Sequence, residues 1–141
     1  MTDWNKRFMD LAEHVAEWSK DPSTKVGAVI VNEKRQVLSM GYNGFPRGVY
    51  DCKERYSDRS TKLKFVAHAE RNALDNTYTD VEGATLYSTL YPCSDCAKGI
   101  IQRGIKRVVT SKAWYENQAK IFNFDTTETM FKEADVEVVL L

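Results

Sequence analysis

Histidine and cysteine are scarce in this chain: 141 residues hold two of the first and three of the second. So few cysteines, and an odd number of them, exclude a disulfide framework and fit a reducing compartment. Net charge is missing too, because 20 basic residues balance 20 acidic ones. A protein that lives on polynucleotide phosphate usually carries a basic excess, so DNA or RNA is not expected as the main partner. A single nucleotide is a different matter, since its phosphate needs only a few well-placed donors. No apolar run exceeds the length of a strand, so neither a membrane span nor a signal-peptide core is legible. The expectation is a soluble, cytoplasmic protein. Repeats, low-complexity tracts and linkers are also lacking, and the length suits one domain over residues 1–141.

Scarcity makes the placement of the few ligand-type residues informative. His68 opens the triplet His68-Ala69-Glu70, and two of the cysteines stand in Pro92-Cys93-Ser94-Asp95-Cys96. These supply three zinc ligands and one unligated carboxylate. Structural zinc is almost always held by four Cys or His ligands, whereas a catalytic zinc keeps its fourth position for water. Glu70, two residues past the histidine, is the right group to move protons to and from that water. Cys93 and Cys96 are three apart, so both thiolates share one face of a helix's first turn, where exposed N–H groups favour negative sulfur. A closed structural site needs a fourth ligand, and only His14 and Cys52 are spare. Neither has convincing spacing; Cys52 is either an added ligand or an ordinary thiol, and His14 has no role.

Trp4, Phe8, Leu11, Val15 and Trp18 recur at four- and three-residue steps, which predicts an amphipathic helix over 3–19, broken by Asp21-Pro22-Ser23. Val26–Val31 is a nearly continuous apolar run, the mark of a strand covered on both faces, with Gln36–Tyr42 as its hairpin partner. From Asn43 to Lys64 no period is visible, and a loop of that length is usually functional or disordered. The remaining pattern predicts a helix over Ala67–Asn76, a strand over Ala84–Leu90 and a helix over Cys93–Arg103 with Pro92 near its first turn. A strand over Lys106–Thr110, a helix over Glu116–Ala134 and a strand over Val136–Leu141 complete it. Helices alternating with strands after an opening hairpin suggest an α/β sheet covered on both sides.

Paired in one chain, H-x-E and P-C-x-x-C are the signature of zinc-dependent nucleobase deaminases. Deaminating a cytosine ring means adding water at the carbon that bears the amino group and expelling ammonia. Zinc lowers the pKa of a bound water from about 15.7 to about 7, which makes hydroxide available at neutral pH. The adduct then needs one proton on the ring nitrogen and one on the departing amine, and a single carboxylate such as Glu70 can serve both.

The rest of the chain narrows the choice. Ser19-Lys20-Asp21-Pro22-Ser23-Thr24-Lys25-Val26-Gly27-Ala28, Gly41-Tyr42-Asn43-Gly44-Phe45-Pro46, His68-Ala69-Glu70-Arg71-Asn72-Ala73 and Leu90-Tyr91-Pro92-Cys93-Ser94-Asp95-Cys96-Ala97 closely resemble the deoxycytidylate (dCMP) deaminases. The likeness covers nearly the whole chain and is nearest to bacterial and phage forms, so a phage-encoded protein would work in its host's cytoplasm. It implies the three-layer α-β-α cytidine deaminase-like fold with a mixed five-stranded sheet. It also implies conversion of dCMP to dUMP and ammonia, supplying thymidylate synthesis, in a homo-oligomer (a hexamer) activated by dCTP and inhibited by dTTP. Residue by residue, it makes His68, Cys93 and Cys96 the zinc ligands and Glu70 the proton shuttle. Asn43 would contact deoxyribose and base, and the backbone around Ala69 and Ser88-Thr89 would line the base pocket. Ser23-Thr24-Lys25 and Tyr115 match places where the family puts phosphate-binding groups, and Asn43, Gly44 and Phe45 would help form the effector site. Some relatives carry a second zinc through extra ligands in the long loop; with only Cys52 there, one zinc per chain is expected.

Arg47, Lys53, Arg55, Arg59, Lys62 and Lys64 face only Asp51, Glu54 and Asp58 within residues 47–64, so that loop is either an anion-binding loop or a solvated mobile one. The enzyme is alternatively one that takes dCTP or a free nucleoside, and Trp114 and Tyr115 suit base stacking in any of these. From another class, a catalytically dead, zinc-stabilised nucleotide sensor would keep the ligands without needing Glu70.

Overall fold

The computed structural model describes residues 2–141. In chain order its elements are α1 (Trp4–Ala16), β1 (Gly27–Val31), β2 (Val37–Tyr42), α2 (Lys53–Ser57), α3 (Arg59–Phe65), α4 (Ala69–Asp75), β3 (Thr85–Ser88), α5 (Ser94–Gln102), β4 (Arg107–Thr110), α6 (Lys112–Ala119), α7 (Asp125–Glu133) and β5 (Glu137–Leu140). Asp3 starts α1 by accepting a bond from the Lys6 amide, and the helix buries the stripe Phe8, Met9, Ala12, Val15 and Ala16.

The strands line up as β2-β1-β3-β4-β5. Pairing is antiparallel from β2 through β1 to β3 and parallel from β3 through β4 to β5, so the sheet is mixed. Every residue of β1 is buried, because successive side chains enter different cores. Ala28 and Ile30 join Leu86 and Val108 beneath α4, α5 and α7, whereas Val29 and Val31 join Tyr87 and Val109 beneath α1. Helices therefore cover both faces, giving the expected three-layer α-β-α architecture.

Two glycines set the spacing of those layers. A Cβ on Gly27 would stand 2.0 Å from the Ala12 carbonyl oxygen, and one on Gly41 would stand 2.3 Å from the Ala73 amide nitrogen. Only a residue without Cβ lets α1 and α4 sit this close to the sheet.

Two expectations need correction. The aperiodic stretch 43–64 is not a structureless loop; it carries α2 and α3, of five and seven residues. Neither completes enough turns for an apolar period to show. The single helix expected over Glu116–Ala134 is two helices, α6 and α7. Between them the Asn123 side chain accepts from the Asp125 amide at 2.8 Å, an alternative to the helical ladder. Next to it, buried Phe124 turns inward onto Tyr91, with ring centroids 4.7 Å apart.

Candidate metal centre and active site

His68 and Cys93 are N-cap residues of α4 and α5, so the two helix starts bring the ligand-type side chains together. His68 Nδ1 lies 3.5 Å from Cys93 Sγ and 3.3 Å from Cys96 Sγ. All three donor atoms fall within 4.8 Å of one another, and among the described residues no other such group occurs. A tetrahedral ion with bonds of about 2.3 Å to sulfur and about 2.0 Å to nitrogen puts neighbouring ligand atoms roughly 3.5–3.8 Å apart, so the donor set fits zinc with a small expansion. Cys52, the spare thiol, caps α2 and is outside the cluster.

Hydrogen bonding from the Cys96 thiol, and then from the His68 ring, holds Cys93 down to about 4. The same sharing, with burial, drives Cys96 upward, and its bond to Cys93 raises His68. Two sulfurs and an imidazole thus compete for protons that a cation would replace. Glu70, in the first turn of α4, is 4 % exposed. Burial lifts its carboxyl above the ordinary carboxylate range, with nearby His68 opposing.

Four backbone segments are stitched together around these groups. Thr89 and Gly27 exchange bonds, the Thr89 amide giving to the Gly27 carbonyl at 3.0 Å and the Gly27 amide to Thr89 Oγ1 at 3.1 Å. Asn43 Oδ1 accepts from the Val26 amide at 2.8 Å, and its Nδ2 donates to the Thr24 carbonyl at 2.9 Å. Gly44 and Ala67 form an isolated antiparallel bridge one residue before His68. Asn72 Nδ2 ties the Tyr42 carbonyl (2.8 Å) and, more weakly, the Ala67 carbonyl (3.4 Å).

The residues expected at the site are distributed as follows. Ala69, next in the chain to His68, is fully buried, and Ser88, also fully buried, donates to the Leu90 carbonyl at 2.8 Å. Asn43 is buried, its amide engaged by the 24–26 backbone. Lys25 is exposed on that segment. Tyr115 packs on Tyr91 with centroids 4.9 Å apart, and its hydroxyl donates to Glu128. Phe45 stacks on Tyr56 at 4.2 Å. A surface hollow of about 380 Å³ lined by Tyr115, Phe122, Phe124 and Glu128 is lined by none of His68, Glu70, Cys93 and Cys96.

The reading of 47–64 as an anion-binding loop loses one of its members. Lys62 is buried and its Nζ lies 3.2 Å from Asp21 Oδ1, itself buried. Arg47 donates to Asn76, and Arg55 donates to the Tyr50 carbonyl while lying 4.4 Å over the Phe65 ring. Sequence reasoning missed the partnership of Asp21 with Lys62 and the ties made by Asn72. Asp21 read as a helix breaker within a family-like segment, neither of which gives it a partner, and nothing distinguishes Lys62 from the exposed lysine two positions later.

The chain matches the family model for the cytidine and deoxycytidylate deaminase zinc-binding region over residues 2–112. An uncharacterised deaminase of Aliivibrio fischeri is 40% identical over 147 residues, an alignment spanning 100% of this chain and 95% of that protein. Human deoxycytidylate deaminase is 43% identical over 113 residues, spanning 76% of this chain but only 64% of the human protein. The crystal structure of dCMP deaminase from cyanophage S-TIM5 superposes with a TM-score of 0.77 at 29% identity, covering 100% of both chains. A second structure of that phage enzyme, in complex with dCMP and dUMP, matches with a TM-score of 0.75 at 27% identity, covering 100% of this chain and 99% of that one.

Proposed function

Because the chain belongs to the cytidine and deoxycytidylate deaminase family, a family of zinc enzymes, we propose that it hydrolyses dCMP to dUMP and ammonia. The observation that carries this reading is the convergence of His68, Cys93 and Cys96 beside one buried carboxylate, Glu70. The phage relative solved with dCMP and dUMP supports the choice of substrate.

His68 Nδ1, Cys93 Sγ and Cys96 Sγ would hold the zinc, which when bound would supply Lewis acidity to an attacking water. Glu70 moves the protons. Its carboxylate accepts one from water as the oxygen adds to the carbon bearing the amino group, and passes it to the ring nitrogen beside that carbon; it then takes the proton of the new hydroxyl and gives it to the amine, which leaves as ammonia while the carbonyl of dUMP forms. Burial raises the pKa of that carboxyl, which strengthens it as the acceptor of a proton from water. His68 and Cys93 stand at the N-caps of α4 and α5, and the first turn of α5, which carries Cys96, favours negative sulfur.

Recognition is assigned to the stitched rim. Asn43 contacts the sugar and base edge, the backbone at Ala69, Ser88 and Thr89 lines the base, and Lys25 and Tyr115 serve the phosphate. Gly44 and Phe45 contribute to a dCTP and dTTP effector site, dCTP activating and dTTP inhibiting, in a cytoplasmic homohexamer that supplies dUMP for thymidylate synthesis. The stacking of Phe45 on Tyr56 supports the effector assignment by giving that segment a fixed aromatic surface.

The test is product formation by the zinc-loaded protein from dCMP, dCTP and deoxycytidine, each with and without dTTP. Fast, dTTP-suppressed conversion of dCMP is the expected result. Preference for dCTP or deoxycytidine keeps the zinc chemistry and overturns the phosphate assignment. No turnover of any of the three, with zinc bound, overturns the enzyme reading for cytosine nucleotides.

A further inference from the structure

Outside the metal centre, the carboxylate of Asp21 is a buried group with four polar partners among the described residues. Its Oδ1 accepts from the Ser23 amide at 2.8 Å, from the Thr24 amide at 3.2 Å and from Lys62 Nζ at 3.2 Å. Its Oδ2 is reached by Asn43 Nδ2 at 3.4 Å. The side chains of Lys62 and Asp21 are 8% and 4% exposed. Ser19 Oγ extends the network by donating to the Asn43 carbonyl at 2.8 Å and accepting from the Asp21 amide at 3.2 Å. The proposed chemistry uses neither charge.

Burying an ion pair is expensive, and replacing one with apolar groups is often neutral or stabilising, so stability alone does not account for this one. What the pair does geometrically is join two segments 41 residues apart. One end is the 21–26 turn, whose backbone is held by Asp21 on one side and Asn43 on the other while Ser23, Thr24 and Lys25 stay exposed. The other end is α3, which runs on through Val66 and Ala67 to His68. Lys62 thereby links the turn that carries hydroxyls and an ammonium to the helix leading into a metal ligand.

We infer that the Asp21–Lys62 pair is a positioning device that fixes the distance between the anion-reading turn Ser23–Lys25 and the metal centre, and so sets selectivity for a phosphorylated substrate. This rests on the reading of Ser23–Lys25 as a phosphate contact. A receptor with a fixed backbone binds without the cost of ordering itself, so freeing the turn weakens binding of the nucleotide without altering proton transfer at Glu70. Asp21 and Lys62 act through the turn and touch no reacting atom.

The experiment measures kcat and KM for dCMP on the zinc-loaded full chain, with zinc content and thermal unfolding, in Lys62→Met, Asp21→Asn/Lys62→Met, Lys62→Arg and Lys25→Ala. Removing one partner alone leaves a buried charge, so the double variant keeps the test decisive if Lys62→Met fails to fold. In that double variant the side-chain oxygen at position 21 still holds the Ser23 and Thr24 amides while the link to α3 is gone. The expected result is a KM raised about tenfold in the folded variants lacking the pair, with kcat within about twofold and zinc undiminished, and a smaller KM change in Lys62→Arg. Lys25→Ala is also expected to raise KM. If Lys25→Ala and a Ser23→Ala/Thr24→Ala variant leave KM unchanged, the phosphate reading falls and the inference with it. If those variants raise KM but the folded, zinc-loaded Lys62 variants do not, the inference alone is overturned. A fall in kcat with KM unchanged also overturns it.

Discussion

His68 Nδ1 lies 3.3 Å from Cys96 Sγ although 28 residues separate them, because each residue sits in the first turn, or at the cap, of a helix leaving the same end of the sheet. Neither position is a ligand by itself. The sheet brings the two helix starts to one point, and the third donor, Cys93, is fixed as the cap of the same helix as Cys96.

Replacing a member of this set separates metal binding from folding. Cys96→Ser is expected to weaken zinc affinity by at least about a hundredfold and to abolish turnover, since even the partners of ligands are typically worth tenfold or more. Chelator competition followed by metal analysis measures it. Unchanged zinc affinity would remove Cys96 from the ligand set.

Glu70→Gln keeps the size of the side chain and removes its capacity to carry a proton. Turnover of dCMP is expected to fall by about 10²-fold or more, with zinc content and melting temperature near those of the parent. A variant that turns over normally would transfer the proton-shuttle role to another group.

Gly41→Ala tests the layer spacing that puts α4, and with it His68 and Glu70, in place. The new Cβ would lie 2.3 Å from the Ala73 amide nitrogen and 2.6 Å from the Ala69 carbonyl oxygen, both backbone atoms that move only with the helix. A loss of about 3 kcal/mol in urea unfolding is expected, together with reduced zinc affinity as α4 is displaced. Parent-like stability would mean that the helix moves away from the sheet at little cost.

Thr110→Val addresses a polar atom that the fold leaves unsatisfied. Thr110 is fully buried at the end of β4, and its Oγ1 finds no hydrogen-bond partner among the described residues. Valine has nearly the same shape without the hydroxyl, so a gain of about 1 kcal/mol in chemical denaturation is expected. A loss of similar size would reveal a partner for that hydroxyl.

Much of the fold was legible because its signals are local and repeated. The stripe Phe8, Val15 and their neighbours marked α1, and the apolar run before Asn32 marked a strand covered on both faces. Where elements are short, the signal disappears: α2 and α3 do not complete enough turns to display a period. The division between α6 and α7 was hidden for another reason. Asn123 suits a helix poorly but not prohibitively, and the packing of Phe124 on Tyr91 and Tyr115, which accompanies the break, is a contact made across the fold.

The chemistry on offer is written in residue types and their local spacing. Two helix-starting motifs contain three zinc-ligand residues and one spare carboxylate, a composition that points to a metal with an open position wherever the chain brings them together. Their convergence, the removal of Glu70 from water, and the burial of one lysine of a basic stretch against an aspartate 41 residues away come from long-range packing. The physical reason is that ligand identity belongs to side-chain type and local spacing, whereas burial and long-range pairing depend on how the layers pack. Lys62 and Lys64 are the same residue type two positions apart; the packing of α3 encloses one and leaves the other in solvent.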